Sequence, residues 1–193
     1  MRGKTYIVAH RRRREGKTDY KQRLRLLKSG KPRFVVRKSI NNVTCQIVEY
    51  SKDGDKTIVS VNSNDVKKLG WKGNPGNLPA AYLVGLLCGS RANKKKIKDA
   101  VLDSGLYAST PGSRIYSALK GAVDSGLKIS HSEEILPKNE RIKGEHIATL
   151  AKKIKSEKPD EYKKRFSIYL KNKVSPENLP KHFDEVKKKI LKK

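Results

Sequence analysis

The chain has 193 residues, with 46 lysines and arginines against 19 acidic residues, a formal charge of +27. An ordinary soluble enzyme does not carry such an excess: it repels itself in the compact state and calls for a polyanion, so nucleic acid, an anionic membrane surface and an acidic protein are the candidates. Membrane is the weakest of these, because no apolar run approaches the ~20 residues of a spanning helix and the basic start lacks the apolar middle of a signal peptide; a cytoplasmic or RNA-rich location is expected.

Hydrophobic residues make up only 35% of the chain, and they concentrate in residues 33–130, where a core can form. Three segments follow: a basic N-terminal arm with a short helix over 1–31, an α/β core over 32–130 and a helical C-terminal extension over 131–193. The first segment holds 12 basic and 2 acidic residues, the strongest bias along the chain. Cys45 and Cys88 are the only cysteines. They fall on predicted apolar faces, which reads as two buried, reduced thiols rather than a disulfide or metal pair.

Residues 1–17 read as an extended arm, since the block Arg11–Arg14 does not stay compact alone. Thr18 or Asp19 can cap a helix that carries Leu24 and Leu27 on one face and ends at Ser29-Gly30, before Pro32. Three strands are predicted over Arg33–Ser39, Val43–Tyr50 and Thr57–Asn62, joined by the turn residues Asn41-Asn42 and Asp53-Gly54. Phe34 and Val36 share one face of the first, Val43, Cys45 and Ile47 one face of the second, Val59 and Val61 one face of the third. The product is an antiparallel meander with an apolar face and a polar or basic face.

A helix over Leu78–Asn93, capped by Asn77, can cover the apolar face. Gly85 and Gly89 inside it cost roughly 1 kcal/mol each relative to alanine, which calls for a strand lying very close. Ala100–Leu102 reads as a buried strand ahead of Asp103. Arg114–Asp124 has Ile115, Leu119 and Val123 at helical spacing, with Gly126 beyond its end. The fold class is therefore an α/β two-layer sandwich: a three-stranded antiparallel meander, then α-β-α. Gly144–Lys155, Asp160–Asn172 and Pro180–Lys192 are helical in pattern but thin in apolar content: Ile147, Leu150 and Ile154 in the first, Phe183, Val186 and Ile190 in the last. They are expected to pack on the core or on a partner.

Arginine forks suit phosphate, and a coreless arm can follow an irregular RNA surface, ordered by the binding itself. A second basic cluster, Arg23, Arg25, Lys28 and Lys31, follows on the next element. Tyr6, His10 and Tyr20 interleave with these charges and can either stack on unpaired bases or dock the arm. Arg33, Arg37 and Lys38 form either a phosphate platform or a solvated sheet face. The loop Gly105–Ser113 is either a plain connection or an anion site of backbone N–H groups at a helix start, with Arg114 beside it; it lacks the lysine and glycine spacing of a phosphate-loop nucleotide motif. Trp71 reads as a loop anchor. His10, His131, His146 and His182 are scattered, and a metal nuclease needs several converging carboxylates, whereas Asp53, Asp55 and Asp99, the acidic residues near Asp103, sit where hairpin tips and strand starts are expected. No catalytic residue, metal, cofactor or small-molecule substrate is expected.

Several stretches, in order, resemble a known family: RRRREGKTDYKQRLRLLKSGKPR (11–33), NPGNLPAAYLVGLL (74–87), AVLDSGL (100–106), TPGSRIYSALKGAVDSGLKISH (110–131) and NLPKHFDEV (178–186). They are similar to the archaeal and eukaryotic form of the 5S-RNA-binding large-subunit ribosomal proteins, and the lysine-heavy composition resembles the archaeal members. The resemblance implies a mixed α/β core without enzymatic activity, whose core and arm grip 5S rRNA in the central protuberance. It implies that the tail reaches 23S rRNA and neighbouring ribosomal proteins, including the other 5S-associated protein. Carried onto this chain, Lys4, Arg11, Arg12, Arg13, Arg14, Lys17, Arg23 and Arg25 are the leading contacts; Arg33, Arg37, Ser109, Thr110, Ser113 and Arg114 follow. The residues alone leave a general basic nucleic-acid binder outside the ribosome as the alternative.

Overall fold

The computed structural model describes residues 7–192; Lys4 and Tyr6 lie outside them. A single helical turn, α1 (Arg11–Arg14), precedes α2 (Tyr20–Leu27), so the described part of the arm is folded where an extended path is expected. Strands β1 (Arg33–Lys38), β2 (Val43–Glu49) and β3 (Lys56–Asn62) form the predicted antiparallel meander. A short helix α3 (Ser63–Lys68), which the sequence reading passes over, leads to α4 (Leu78–Lys94). β4 (Val101–Asp103) then pairs in parallel with β1, one residue later than expected, and completes a mixed sheet in the order β3-β2-β1-β4. Only Asp103 of β4 is buried, so this is not the apolar buried strand the sequence suggests. α5 (Arg114–Asp124) closes the layer.

The period-two pattern places Phe34, Val36, Cys45, Ile47, Val59 and Val61 on one buried face, as alternation requires. α4 covers that face. The Asn77 side chain accepts the Ala80 N–H at 2.9 Å to start it, satisfying one of the donors a helix leaves open. The helix is apolar nearly all round because it is enclosed, a pattern that belongs to buried helices. Cys45 and Cys88 are free and buried. Burial pushes both thiols up, Cys88 to about 12, which leaves them unreactive.

The glycines of α4 do serve close approach, but to a helix rather than a strand. A Cβ on Gly85 would lie 1.9 Å from the Ala118 carbonyl oxygen of α5, and one on Gly121 of α5 would lie 2.1 Å from that of Tyr82. Two backbones meet there with no side chain between them.

The tail comprises α6 (Asn139–Lys143), α7 (Glu145–Glu157), α8 (Pro159–Arg165), α9 (Ser167–Lys171) and α10 (Leu179–Lys192). The predicted helix over Asp160–Asn172 is broken at Phe166. α7 buries Ala148, Ala151 and Ile154, while Leu150 is 45% exposed, so its inner stripe is made of smaller residues than expected. α10 lays Leu179, Phe183, Val186 and Ile190 inward, and the Phe183 ring meets Tyr82 of α4 at 5.4 Å. Trp71 is buried and stacks on His182 at 5.3 Å, which makes it a loop anchor. The tail thus packs on the core, and buried residues run continuously from the sheet into it.

Replacing Gly85 by alanine should lower stability by about 1–3 kcal/mol despite the better helix propensity, because the new methyl meets fixed backbone. A urea titration reads this directly; an unchanged or raised midpoint would show that the helix pair has room to spare.

Candidate nucleic-acid interface

The basic arm is held in place by local chemistry. Asp19 starts α2 by accepting the N–H groups of Lys21 and Gln22 at 2.9 and 3.1 Å. Gly16 takes a φ of +63° and lets the chain turn back, with Lys17 N–H donating to the Arg12 carbonyl at 2.8 Å. The Arg12 guanidinium donates to the Thr18 hydroxyl at 2.9 Å, and the His10 and Tyr20 rings lie 5.0 Å apart. The two rings therefore engage each other at the base of the arm. No residue of α1 is buried, so all four arginines face solvent. Glu15 draws Lys17 to 2.9 Å and Arg11 to 3.6 Å, exposed pairs that contribute little stability. Arg25, Lys28 and Lys31 are exposed on α2 and the turn after it.

α2 meets the sheet on the face opposite the core. Leu26 and Leu27 are half-buried, whereas Leu24, expected to face inward, is 58% exposed. The firmest link is ionic: Arg23 donates both terminal nitrogens to Asp55, each at 2.8 Å. Asp55 also receives Arg33 at 2.5 Å, and Arg33 reaches Asp103 at 2.8 Å with its other terminal nitrogen. Asp103 in turn accepts Arg37 at 2.9 Å and the Gly105 N–H at 2.9 Å. Three guanidinium groups and two carboxylates thus form one chain: Arg23, Asp55, Arg33, Asp103, Arg37.

Arg33 is only 5% exposed. Its charge is paired inside the protein, whereas the Arg37 side chain is 42% exposed, with its fork held by the Val36 and Asp103 carbonyls and the Asp103 carboxylate. Asp55 sits below the usual carboxylate range because Arg23 hydrogen-bonds it, with Arg33 adding to the effect. Burial alone would push Asp103 up, but hydrogen bonds from Arg37, Arg33 and Gly105 outweigh it and the net shift is downward.

Arm, α2 and sheet together enclose a cleft of about 510 Å³ whose walls include Arg12, Lys17, Tyr20, Arg23, Arg33 and Arg37. The structure therefore gathers residues from both predicted basic clusters and the first strand at one place. Lys38 stands apart over the Tyr107 ring, 5.0 Å from its centre. The loop before α5 does not line the cleft beyond Gly105 and Leu106. There the Ser109 hydroxyl bonds the Tyr116 hydroxyl, Thr110 is exposed, and the Ser113 hydroxyl is buried without a partner. Arg114 donates to the carbonyls of Ser39 at 3.0 Å and Gly76 at 2.7 Å, which latches the β1–β2 turn to the start of α4. The sequence reading did not pair Asp55 with Asp103. Both are occupied by arginines, and they approach each other only through Arg33.

Residues 4–99 and 92–132 match the family model described as "Ribosomal large subunit proteins 60S L5, and 50S L18". The chain belongs to this ribosomal family. It is 53% identical over 186 residues, 96% of each chain, to the archaeal "Large ribosomal subunit protein uL18" of Methanococcus maripaludis. The family match takes in the arm, the whole sheet and α5, while the archaeal relative aligns along the tail as well. As a member of the family, the chain is a non-enzymatic structural protein of the large ribosomal subunit. Among the described residues no helix is long and apolar enough to cross a membrane.

The lowered carboxylates make a pH prediction. Asp55 and Asp103 ionise more readily in the folded chain than in the unfolded one, so their stabilisation is complete above the ordinary carboxylate value of ~4 and disappears as pH falls through their lower folded values. Asp103→Asn should flatten this acid dependence. It should also reduce stability at pH 7 by about 3 kcal/mol, because it leaves Arg33 buried with one carboxylate fewer. Urea unfolding at a series of pH values is the check; identical acid profiles for both proteins would contradict the assignment.

Proposed function

We propose that this family member binds 5S rRNA through the arm, α2 and the outer face of the sheet, and anchors it to 23S rRNA in the central protuberance of the large subunit. The observation that carries the reading is the partition of charge. Arg33 is neutralised internally, whereas Arg11–Arg14, Lys17, Arg25, Lys28 and Lys31 are exposed along one continuous N-terminal segment. Guanidinium forks held on a helical turn suit irregularly placed phosphates better than a flat platform does. Within this reading Arg23 and Arg37 contribute the exposed parts of their side chains. Lys38, Ser109, Thr110, Ser113 and Arg114 flank the main surface, and Lys4 and Tyr6, outside the described residues, are further proposed contacts. The His10 and Tyr20 rings offer a stacking edge for an unpaired base, a contact worth ~1–3 kcal/mol. The lysine-rich tail helices face 23S rRNA and neighbouring proteins, including the other 5S-associated protein, in the cytoplasmic ribosome.

Neutralising about 6–10 phosphates should reduce affinity for folded 5S rRNA by roughly 10³–10⁵ between 50 and 200 mM salt on the duplex-DNA scale, and somewhat less for single strands. Replacing Arg11–Arg14 with alanine should make that salt dependence shallower. Filter binding at several salt concentrations measures both, and a nearly flat wild-type curve would count against the reading. A general basic binder outside the ribosome is the second reading. It would be favoured if duplex DNA displaced 5S rRNA at equal phosphate concentration.

A further inference from the structure

Simple electrostatics assigns Asp55 an unfavourable role. It is a partly exposed carboxylate on the surface proposed to meet RNA, and an anion there repels phosphate. Removing it should, on charge alone, tighten binding. The structure gives it a different part. Asp55 holds both terminal nitrogens of Arg23 on α2 at 2.8 Å and one of Arg33 on β1 at 2.5 Å. Among the described residues it is the one carboxylate that ties the arm-bearing helix to the sheet by an ion pair. α2 has no fully buried residue, so apolar packing gives its orientation little support. The helix that positions Arg11–Arg14 is aimed by this bidentate pair, backed by a buried arginine that Asp103 holds from the other side.

We infer that Asp55 is a positioning residue for RNA: it strengthens binding, against its own charge, by fixing the angle at which α2 presents the basic arm. The inference rests on the RNA-binding reading above and deepens it. Pre-organisation is the physical basis. A surface held in its bound geometry gives up less freedom on association than one whose arm swings on a loose helix. An arginine fork on a carboxylate also defines orientation in a way a point charge does not.

The test compares binding of transcribed 5S rRNA at fixed salt by the wild type, Asp55→Asn and Arg23→Lys. Asp55→Asn removes one negative charge and should nevertheless weaken binding roughly tenfold, in the range expected for coupled neighbouring groups. Arg23→Lys keeps the charge, leaves the Asp55–Arg33 pair intact and removes the fork; it should weaken binding in the same direction, and if Asp55→Asn fails to fold it decides the question when made both with Arg11–Arg14 present and with all four as alanine, because a direct Arg23 contact keeps its penalty there and positioning loses it. A structural defect alone would weaken binding whatever the arm carries. The same Asp55→Asn change is therefore repeated where Arg11–Arg14 are all alanine. Positioning predicts that the penalty largely disappears there, since no arm charges remain to be aimed. If Asp55→Asn or Arg23→Lys binds as well as or better than the wild type, or if the tenfold loss persists without the arm arginines, the inference is overturned while RNA binding stands. If the wild type itself fails to bind 5S rRNA with steep salt dependence, both fall together.

Discussion

A guanidinium on the first residue of an inner strand cannot lose its proton, so it can be buried only if anionic partners come to it. Arg33 is in that position, and its two partners stand on opposite sides of the sheet. Asp55 immediately precedes β3 at one edge, and Asp103 ends β4 at the other. Satisfying one cation therefore ties together the full width of the sheet on its outer face. Each carboxylate then holds one more arginine, so α2 and the end of β1 are drawn into the same chain of charges. Such an arrangement is a weak stabiliser compared with well-packed apolar residues of the same size. What it supplies is geometry: it determines where the N-terminal segment sits relative to the sheet.

Much of the architecture was legible because it is written in short-range periodicity. Alternation identified the three strands and the inward face of each, and spacing identified α4, its Asn77 cap and α5. Most of the failures depend on partners far along the chain. Arg33 finds its carboxylates 22 and 70 residues away, and nothing around residue 33 distinguishes a buried, paired arginine from an exposed one. Gly85 and Gly89 correctly signalled a close approach, but a glycine pair does not say whether a strand or a helix fills the space. α3 is not legible although Asn62 and Asp65 form a capping box, because six residues offer too little periodicity to read. For the candidate site, the exposed arginines were visible as a run of like charge. The cleft that gathers them with β1 was not, since it depends on α2 folding back over the sheet.

The tail shows how a lysine-rich segment with thin apolar stripes can still be held. α10 lays a narrow row of residues against α4, where Tyr82 receives Phe183 from one side while its hydroxyl donates to Asp124 of α5 at 2.7 Å. One side chain therefore joins three helices. At the other end of the contact, His182 stacks on Trp71, and its Nε2 accepts the Lys72 N–H at 3.1 Å. That acceptor role requires a neutral ring, and burial lowers the affinity of this imidazole for a proton. Lys181, Lys188, Lys189 and Lys192 of α10 are exposed, while Lys187 lies over the Tyr82 ring, 5.1 Å from its centre.

The same separation explains how a chain of charge +27 can be compact at all. Self-repulsion is smallest when like charges are spread over the surface and every cation that enters the interior brings an anion with it. Acidic residues are the scarcer currency in such a protein, so their placement carries more information than that of the lysines. Asp55 and Asp103 are used up on arginines of the outer sheet face, Glu177 on Lys155 and Tyr162 where α7 and α8 meet the segment before α10, and Asp124 on Tyr82. In each case a carboxylate sits at a junction between elements. In the proposed RNA-binding reading the basic residues face the partner, and the acidic ones decide the angle from which they do so.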